Sequence, residues 1–332
     1  MNAGEPKLRL PHASVAFIGP FQSGSSTLVG HMMYQAGAID QRTIDKYRAE
    51  SALIGKASFF YAWWTDTLKR EREIGATYHL STRYMSTQKR RYTLHTTPGS
   101  PDHLKMLICG VALADFAVLV VDGSLPEDKL LEKATTADKS PKWRNEPTHW
   151  QRNVSQLKEQ LLICQGLGIK KLIIAVSQLD KLAQPYSQEH FDAVCNKALI
   201  PTLKATGFSV DDVPIVPVSG FMGENLTKPS EHLKWYKGPP LMQIIESLPN
   251  PIYSFDLPLR MSVFDVYKIG GIGTVVVGRV ESGMLEVGHT VVRLLPIDKQ
   301  CTQDPITLGS IEAAHENRRL AYTGEYVGLN LK

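Results

Sequence analysis

The chain has 332 residues, of which 43% are hydrophobic and 21% charged, and it carries a formal net charge of +4. That length suits two domains, or one large and one small, and the balance is ordinary for a soluble globular protein. So mild a positive charge permits an acidic partner such as RNA but does not by itself argue for one.

Residues 1–11 are polar with two prolines, which is not the make-up of a secretion leader. The apolar run 15–18 has the look of a strand, and it feeds Gly19-Pro-Phe-Gln-Ser-Gly-Ser-Ser26. Two glycines five apart, followed by a hydroxyl residue at the opening of a helix, have the spacing of a phosphate-binding loop. Backbone N–H groups in such a loop cradle phosphate oxygens. Ser25 stands where that loop places a lysine, so the ammonium that reaches the outer phosphates is missing. Taken alone, the octapeptide leaves a plain glycine-rich strand–helix turn open.

Further strand-like runs fall at 91–95, 116–121, 172–176 and 215–218, with helical patterns at 103–113, 154–167 and 191–206. This alternation predicts an α/β domain around a mostly parallel sheet. Residues 40–69 are too helical and aromatic for a plain loop, whereas 122–151 read as a long surface loop with Trp143 and Trp150 as packing anchors. Lys89-Arg90-Arg91 reads as a solvated charge run at a hairpin turn. Past the prolines of 248–258 the texture becomes β-branched alternation with glycine turns, the pattern of a small antiparallel barrel. The expected division is 1–248 for the α/β domain, 249–256 for a linker and 257–332 for the barrel. Cys109, Cys164, Cys195 and Cys301 are too scattered for a disulfide frame or zinc site, which points to reduced thiols and a cytoplasmic setting. Cys109 reads as a core thiol; His79, His95, His103 and His149 lack metal-ligand spacing. No apolar run approaches the length of a membrane span.

Several stretches together resemble one family. They are His31-Met-Met-Tyr-Gln-Ala-Gly-Ala-Ile-Asp-Gln-Arg-Thr-Ile44, Gly55-Lys-Ala-Ser-Phe-Phe-Tyr-Ala-Trp63, Arg70-Glu-Arg-Glu73 and Gln184-Pro-Tyr-Ser-Gln188. In the last part of the chain they are Asp265-Val-Tyr-Lys-Ile-Gly-Gly-Ile-Gly-Thr274 and Val277-Gly-Arg-Val-Glu281. The chain resembles eukaryotic elongation factor 1-alpha, a translational GTPase related to elongation factor Tu, along nearly its whole length. The resemblance implies a GTPase domain followed by a β-barrel; the family's third domain would lie beyond Lys332.

The resemblance also assigns positions. Guanine nucleotide would be met by Gly19, Ser23, Gly24, Ser25, Ser26, Thr27, Thr77, Gly99, Ser177, Gln178, Asp180, Ser219 and Gly220. Magnesium would be met by the hydroxyls of Ser26 and Thr77. Around these the pattern departs from the family. Ile74 and Ala76 replace arginine and isoleucine beside Thr77, and the family's Asp-Ala-Pro-Gly-His is Thr96-Thr-Pro-Gly-Ser100. The aspartate that orients magnesium is thus Thr96, and the histidine that positions the attacking water is Ser100. Asn-Lys-x-Asp has become Ser177-Gln-Leu-Asp180, which keeps the carboxylate for the guanine edge. Phosphoryl transfer is mostly positioning and charge stabilisation, and each lost group is worth on the order of 2–4 kcal/mol in a preorganised site.

No intact catalytic group is therefore expected. GTP or GDP binding is expected to be weak, with little dependence on magnesium. The expected role is a pseudo-GTPase that binds or scaffolds in translation or RNA surveillance, with the ribosome or related components as partners and neither membrane nor DNA. Aminoacyl-tRNA delivery is expected to be doubtful, because the family grips tRNA with its third domain as well. A slow, partner-assisted GTPase and a truncated duplicate with no translation role stay open.

Overall fold

The computed structural model describes residues 10–124, 154–288, 291–292 and 306–331. Trp143, Trp150, His149, Cys301 and nearly all of the loop expected at 122–151 lie outside them. The chain divides into two compact units: residues 15–90 with 94–249, and 250–332 with 91–93 and the segment before residue 15.

The strands before residue 250 are β1 (His12–Ile18), β2 (Ser81–Ser86), β3 (Arg91–Thr96), β4 (Phe116–Asp122), β5 (Lys171–Ser177) and β6 (Ile215–Pro217). They form one six-stranded sheet in the order β2-β3-β1-β4-β5-β6, and β1, β4, β5 and β6 run parallel. All seven residues of β4 are buried, and so are six of seven in β1 and in β5. Unbroken apolar runs are what a parallel strand covered on both faces requires. Helices α1 (Ser25–Gln35), α2 (Gln41–Leu53), α3 (Lys69–Ile74), α4 (Leu104–Ala112) and α5 (Val154–Gly166) alternate with these strands. They are followed by α6 (Gln188–Val194), α7 (Ile200–Ala205) and α8 (Leu241–Ser247). Leu107, Val111, Leu157, Leu161, Leu199 and Leu203 seal one side of the sheet against Leu119, Ile174 and Val176.

Three local features differ from expectation. The helix expected at 191–206 starts at Gln188, because Ser187 accepts the His190 amide as N-cap, and a π-helical turn at Cys195–Leu199 joins its two parts. Strand β2 is an edge strand whose polar, half-exposed sequence hides it from an apolar-run search. Arg90 is not part of a solvated charge run: it is buried and donates to the Leu248 carbonyl at 2.7 Å.

The second unit is antiparallel. Strand β7 (Arg260–Ile269) pairs with β8 (Gly273–Ser282) around a turn with Gly271 and Gly273 at positive φ. After β9 (Met284–Glu286) and β10 (Val291–Val292) come β11 (Ile306–Ala313), β12 (Glu316–Arg318), β13 (Leu320–Tyr322) and β14 (Tyr326–Leu331). The sheet order is β10-β11-β14-β8-β7, with β12 on β11 and a separate β9–β13 pair. Val280, Leu285, Leu308, Ile311 and Leu329 form its core. The fold class is α/β with a mostly parallel sheet, followed by antiparallel β structure of barrel-like type.

Candidate functional site

In a parallel sheet, ligands bind beyond the carboxyl ends of the strands. A cavity of about 420 Å3 lies there in the first unit. Its floor is the loop between β1 and α1. This loop turns back on itself, with the Ser23 amide donating to the Pro20 carbonyl and the Leu28 amide to the Gly24 carbonyl. Gly24 has φ +90°, a conformation that favours glycine at the entry to α1. Across from it, Gly99 packs so closely that a Cβ there would lie 2.6 Å from the Gly19 carbonyl. The 96–99 segment is fastened to β1 by the Thr97 amide and hydroxyl, both donating to the Phe17 carbonyl.

The wall brings together Ser23, Gly24, Ser25, Ser26, Thr27, Thr77, Gly99, Ser177, Gln178, Asp180 and Gly220. Gly19 and Ser219 stand behind it: Gly19 beneath Ser23, and Ser219 as hydroxyl donor to Asp180 Oδ1 at 2.7 Å. Gln178, at φ +66°, donates from Nε2 to the Gln22 carbonyl and thereby joins the loop after β5 to the loop after β1. The Ser177 hydroxyl accepts from the Gly220 amide at 3.4 Å. Beneath Gly220, buried His31 contacts the Gly220 carbonyl through Nδ1 at 2.9 Å and stacks on Tyr61 at 3.8 Å. Burial pushes its imidazole below the usual histidine range, against the hydrogen bond that supports the charged form.

The end of the cavity at Ser26 and Thr77 has a feature that the sequence reading missed. The two hydroxyls lie 2.8 Å apart, and Thr77 donates to Asp66 Oδ1 at 2.9 Å. Asp66 is buried and lines the cavity. Burial, reinforced by the nearby Glu71 carboxylate, pushes its carboxyl up to about 7, against the hydroxyl donors that favour the anion. Asp66 belongs to no short motif; the only sign in the sequence is a lone acid between the aromatic run 59–64 and α3. Two hydroxyls and a carboxylate are hard oxygen donors of the kind magnesium takes together with phosphate. Ser26, Thr77 and Asp66 are therefore a donor set whose chemistry fits that ion.

Neither Thr96 nor Ser100 lies on the cavity wall. Thr96 is fully buried, and Ser100 turns its hydroxyl to accept from the Asp102 amide at the start of the short helical turn 101–103. Among the described residues the wall carries one cation, Lys181, whose ammonium donates to Gln178 Oε1 beside Asp180, against the two carboxylates Asp66 and Asp180. The described residues contain no cluster of three or more His, Cys, Asp or Glu suited to a metal, and no helix long and apolar enough to cross a membrane. Cys164 and Cys195 are buried unpaired thiols, both pushed up to about 12 by burial. Cys109 is unpaired too but only half-buried, not deep in the core.

Residues 10–266 match the elongation factor Tu GTP binding domain family. Elongation factor 1-alpha of Entamoeba histolytica is 38% identical over 323 residues, covering 97% of this chain and 66% of that protein. The same factor from Methanothrix thermoacetophila is 36% identical, covering 97% and 68%. The chain thus spans about two thirds of the length of these relatives. Among solved structures, the Saccharomyces cerevisiae Ski7 GTPase-like domain superposes with a TM-score of 0.79 at 17% identity, covering 97% of this chain and 70% of that one. A bacterial selenocysteine-specific elongation factor gives 0.64 at 22%, covering 97% and 42%. These two likenesses bear on the fold.

Proposed function

We propose, given that the chain belongs to the elongation factor Tu-type translational GTPase family, that it binds guanine nucleotide without hydrolysing it at a useful rate. Its role would be a binding or scaffold module of the translation or RNA-surveillance machinery, in the cytoplasm, with the ribosome or its associated factors as partners. The observation that carries this reading is the position of Ser100. Its hydroxyl accepts from the following turn and lies off the cavity wall, so Ser100 is not placed to hold an attacking water within hydrogen-bond reach.

Binding is supported by the loop of amides around Gly24 and by Asp180, whose Oδ2 stays free of the Ser219 bond and can accept from a guanine edge. Magnesium would be held by Ser26, Thr77 and Asp66, and when bound would neutralise phosphate charge next to a wall that carries more carboxylates than cations. Ser25 supplies no charge to that end. The Ski7 GTPase-like domain has been crystallised with GTP, and also with GDP and inorganic phosphate, so this fold holds such ligands in at least one case.

Calorimetry of the purified chain with GTP, GDP and ATP, with and without magnesium, tests the reading. Guanine nucleotides are expected to bind weakly and to need magnesium, ATP not to bind, and Ser25→Lys with Thr96→Asp and Ser177→Asn to tighten binding. Phosphate release with ribosomes is expected to stay at the buffer rate. A second reading, a slow GTPase, is favoured by one observation: Asp66 brings to the magnesium hydroxyls a carboxylate that Thr96 does not supply. Ribosome-stimulated turnover that vanishes in a Thr77→Ala, Asp180→Ala variant would decide for it.

A further inference from the structure

The phosphate end of the cavity lacks a cation, yet one stands just outside it. Lys56 is half-buried at the start of the turn 57–59, whose Ser58 and Phe59 line the cavity. Its ammonium donates to the Ile74 carbonyl at 3.2 Å and lies 5.5 Å from the Phe59 ring centroid. Among the described residues it makes no ion pair with a carboxylate. A half-buried ammonium held only by a carbonyl and a ring face has donors left for an anion. Its neighbour on the cavity side is Gly75, at φ +77°, where a Cβ would lie 3.5 Å from the ammonium and 3.1 Å from the Phe59 ring. Because residue 75 has no side chain, none of its own atoms beyond the backbone separates Lys56 from the wall formed by Gly75, Ala76 and Thr77.

We infer that Lys56 is the phosphate-binding cation of this site, taking from the segment between α2 and α3 the role that Ser25 cannot fill in the loop after β1. The inference rests on the nucleotide-binding reading above and names the group that would distinguish GTP from GDP. The Lys56 ammonium would leave the Ile74 carbonyl, pass Gly75 and meet the outermost phosphate beside Thr77. Lys181 cannot serve there, because its ammonium is engaged by Gln178 next to Asp180, at the opposite end of the cavity. A cation that must leave the Ile74 carbonyl to reach the ligand contacts it only when a terminal phosphate is present. It therefore favours the triphosphate, whereas a loop lysine serves both nucleotides.

The test is equilibrium binding of GTP and of GDP to the full chain in magnesium, for the unmodified protein, Lys56→Gln, Lys56→Arg and Lys204→Gln. The last removes the same charge from an exposed site on α7. A charge-assisted hydrogen bond to phosphate predicts about a tenfold loss of GTP affinity in Lys56→Gln. GDP affinity should fall less than about twofold, Lys56→Arg should keep most of the GTP preference, and Lys204→Gln should match the unmodified protein. GDP binding also serves as the check that Lys56→Gln is folded. Equal losses for both nucleotides, or unchanged GTP binding in Lys56→Gln, would overturn the role of Lys56 while leaving nucleotide binding intact. An unmodified protein that binds neither nucleotide would overturn both.

Discussion

His31 sits beneath Gly220 at the Asp180 end of the cavity, and its burial links that end to pH. Its folded-state value is lowered below 6.5, so the unfolded chain takes up the proton first as pH falls. Its contribution to stability is complete above that value and is lost as pH drops through it. Denaturant titrations should therefore show His31→Gln clearly destabilised at pH 7.5, with the gap to the unmodified protein narrowing by pH 5.5; a constant gap would exclude the linkage. At the other end, Asp66 is the carboxylate that accepts from Thr77 in the proposed magnesium site. Asp66→Asn keeps the size and a hydrogen-bonding group but removes the charge a hard cation needs. It should reduce the gain in nucleotide affinity on adding magnesium by about tenfold, as expected for one charge-assisted contact. Magnesium titrations that coincide for the two proteins would remove Asp66 from the ion site.

The segment from α3 to Thr77 is held in place by its own side chains. Glu71, buried, accepts the Leu68 amide at 3.0 Å through Oε2 and the Tyr78 and His79 amides at 2.9 and 3.0 Å through Oε1. Arg72 donates to the Asp66 and Trp63 carbonyls and lies 4.7 Å over the Trp63 ring. Glu71→Ala leaves three amides without that acceptor, a loss on the order of 1–3 kcal/mol. Hydrogen exchange should speed up across 68–79 while β4 and β5 keep their protection; unchanged exchange there would mean that other contacts hold the segment. Elements were legible in the sequence where packing alone determines them. The buried runs of β1, β4 and β5 and the glycine turns of the second unit declare themselves by composition. Strand β2 did not, because an edge strand with Ser81, Thr82, Arg83 and Ser86 has no apolar run to find. In the site, residues within one loop were legible by spacing. Asp66 was not, since it meets the cavity through folding of the aromatic segment between α2 and α3, and Lys56, brought just outside the cavity by the same segment, was not either; neither keeps a fixed offset from the loop after β1.

For the whole molecule, the distribution of tryptophan separates the two units spectroscopically. All five tryptophans, Trp63, Trp64, Trp143, Trp150 and Trp235, precede residue 250. Their fluorescence reports the part of the chain that carries the cavity, whereas far-ultraviolet circular dichroism also reads the antiparallel strands that follow. A ligand that binds only the folded state stabilises it by RT ln(1 + [L]/Kd), about 2.7 kcal/mol at a hundredfold excess over Kd. For a unit of this size that corresponds to a rise in midpoint of about 5–10 °C. GTP with magnesium at that excess should move the fluorescence-detected transition upward by that amount, and ATP at the same concentration should not, because Asp180 has no matching donors on an adenine edge. A fluorescence midpoint indifferent to GTP at millimolar concentration would mean that the cavity beyond β1 and β5 takes no guanine nucleotide. The chain would then have kept the family's architecture without its ligand.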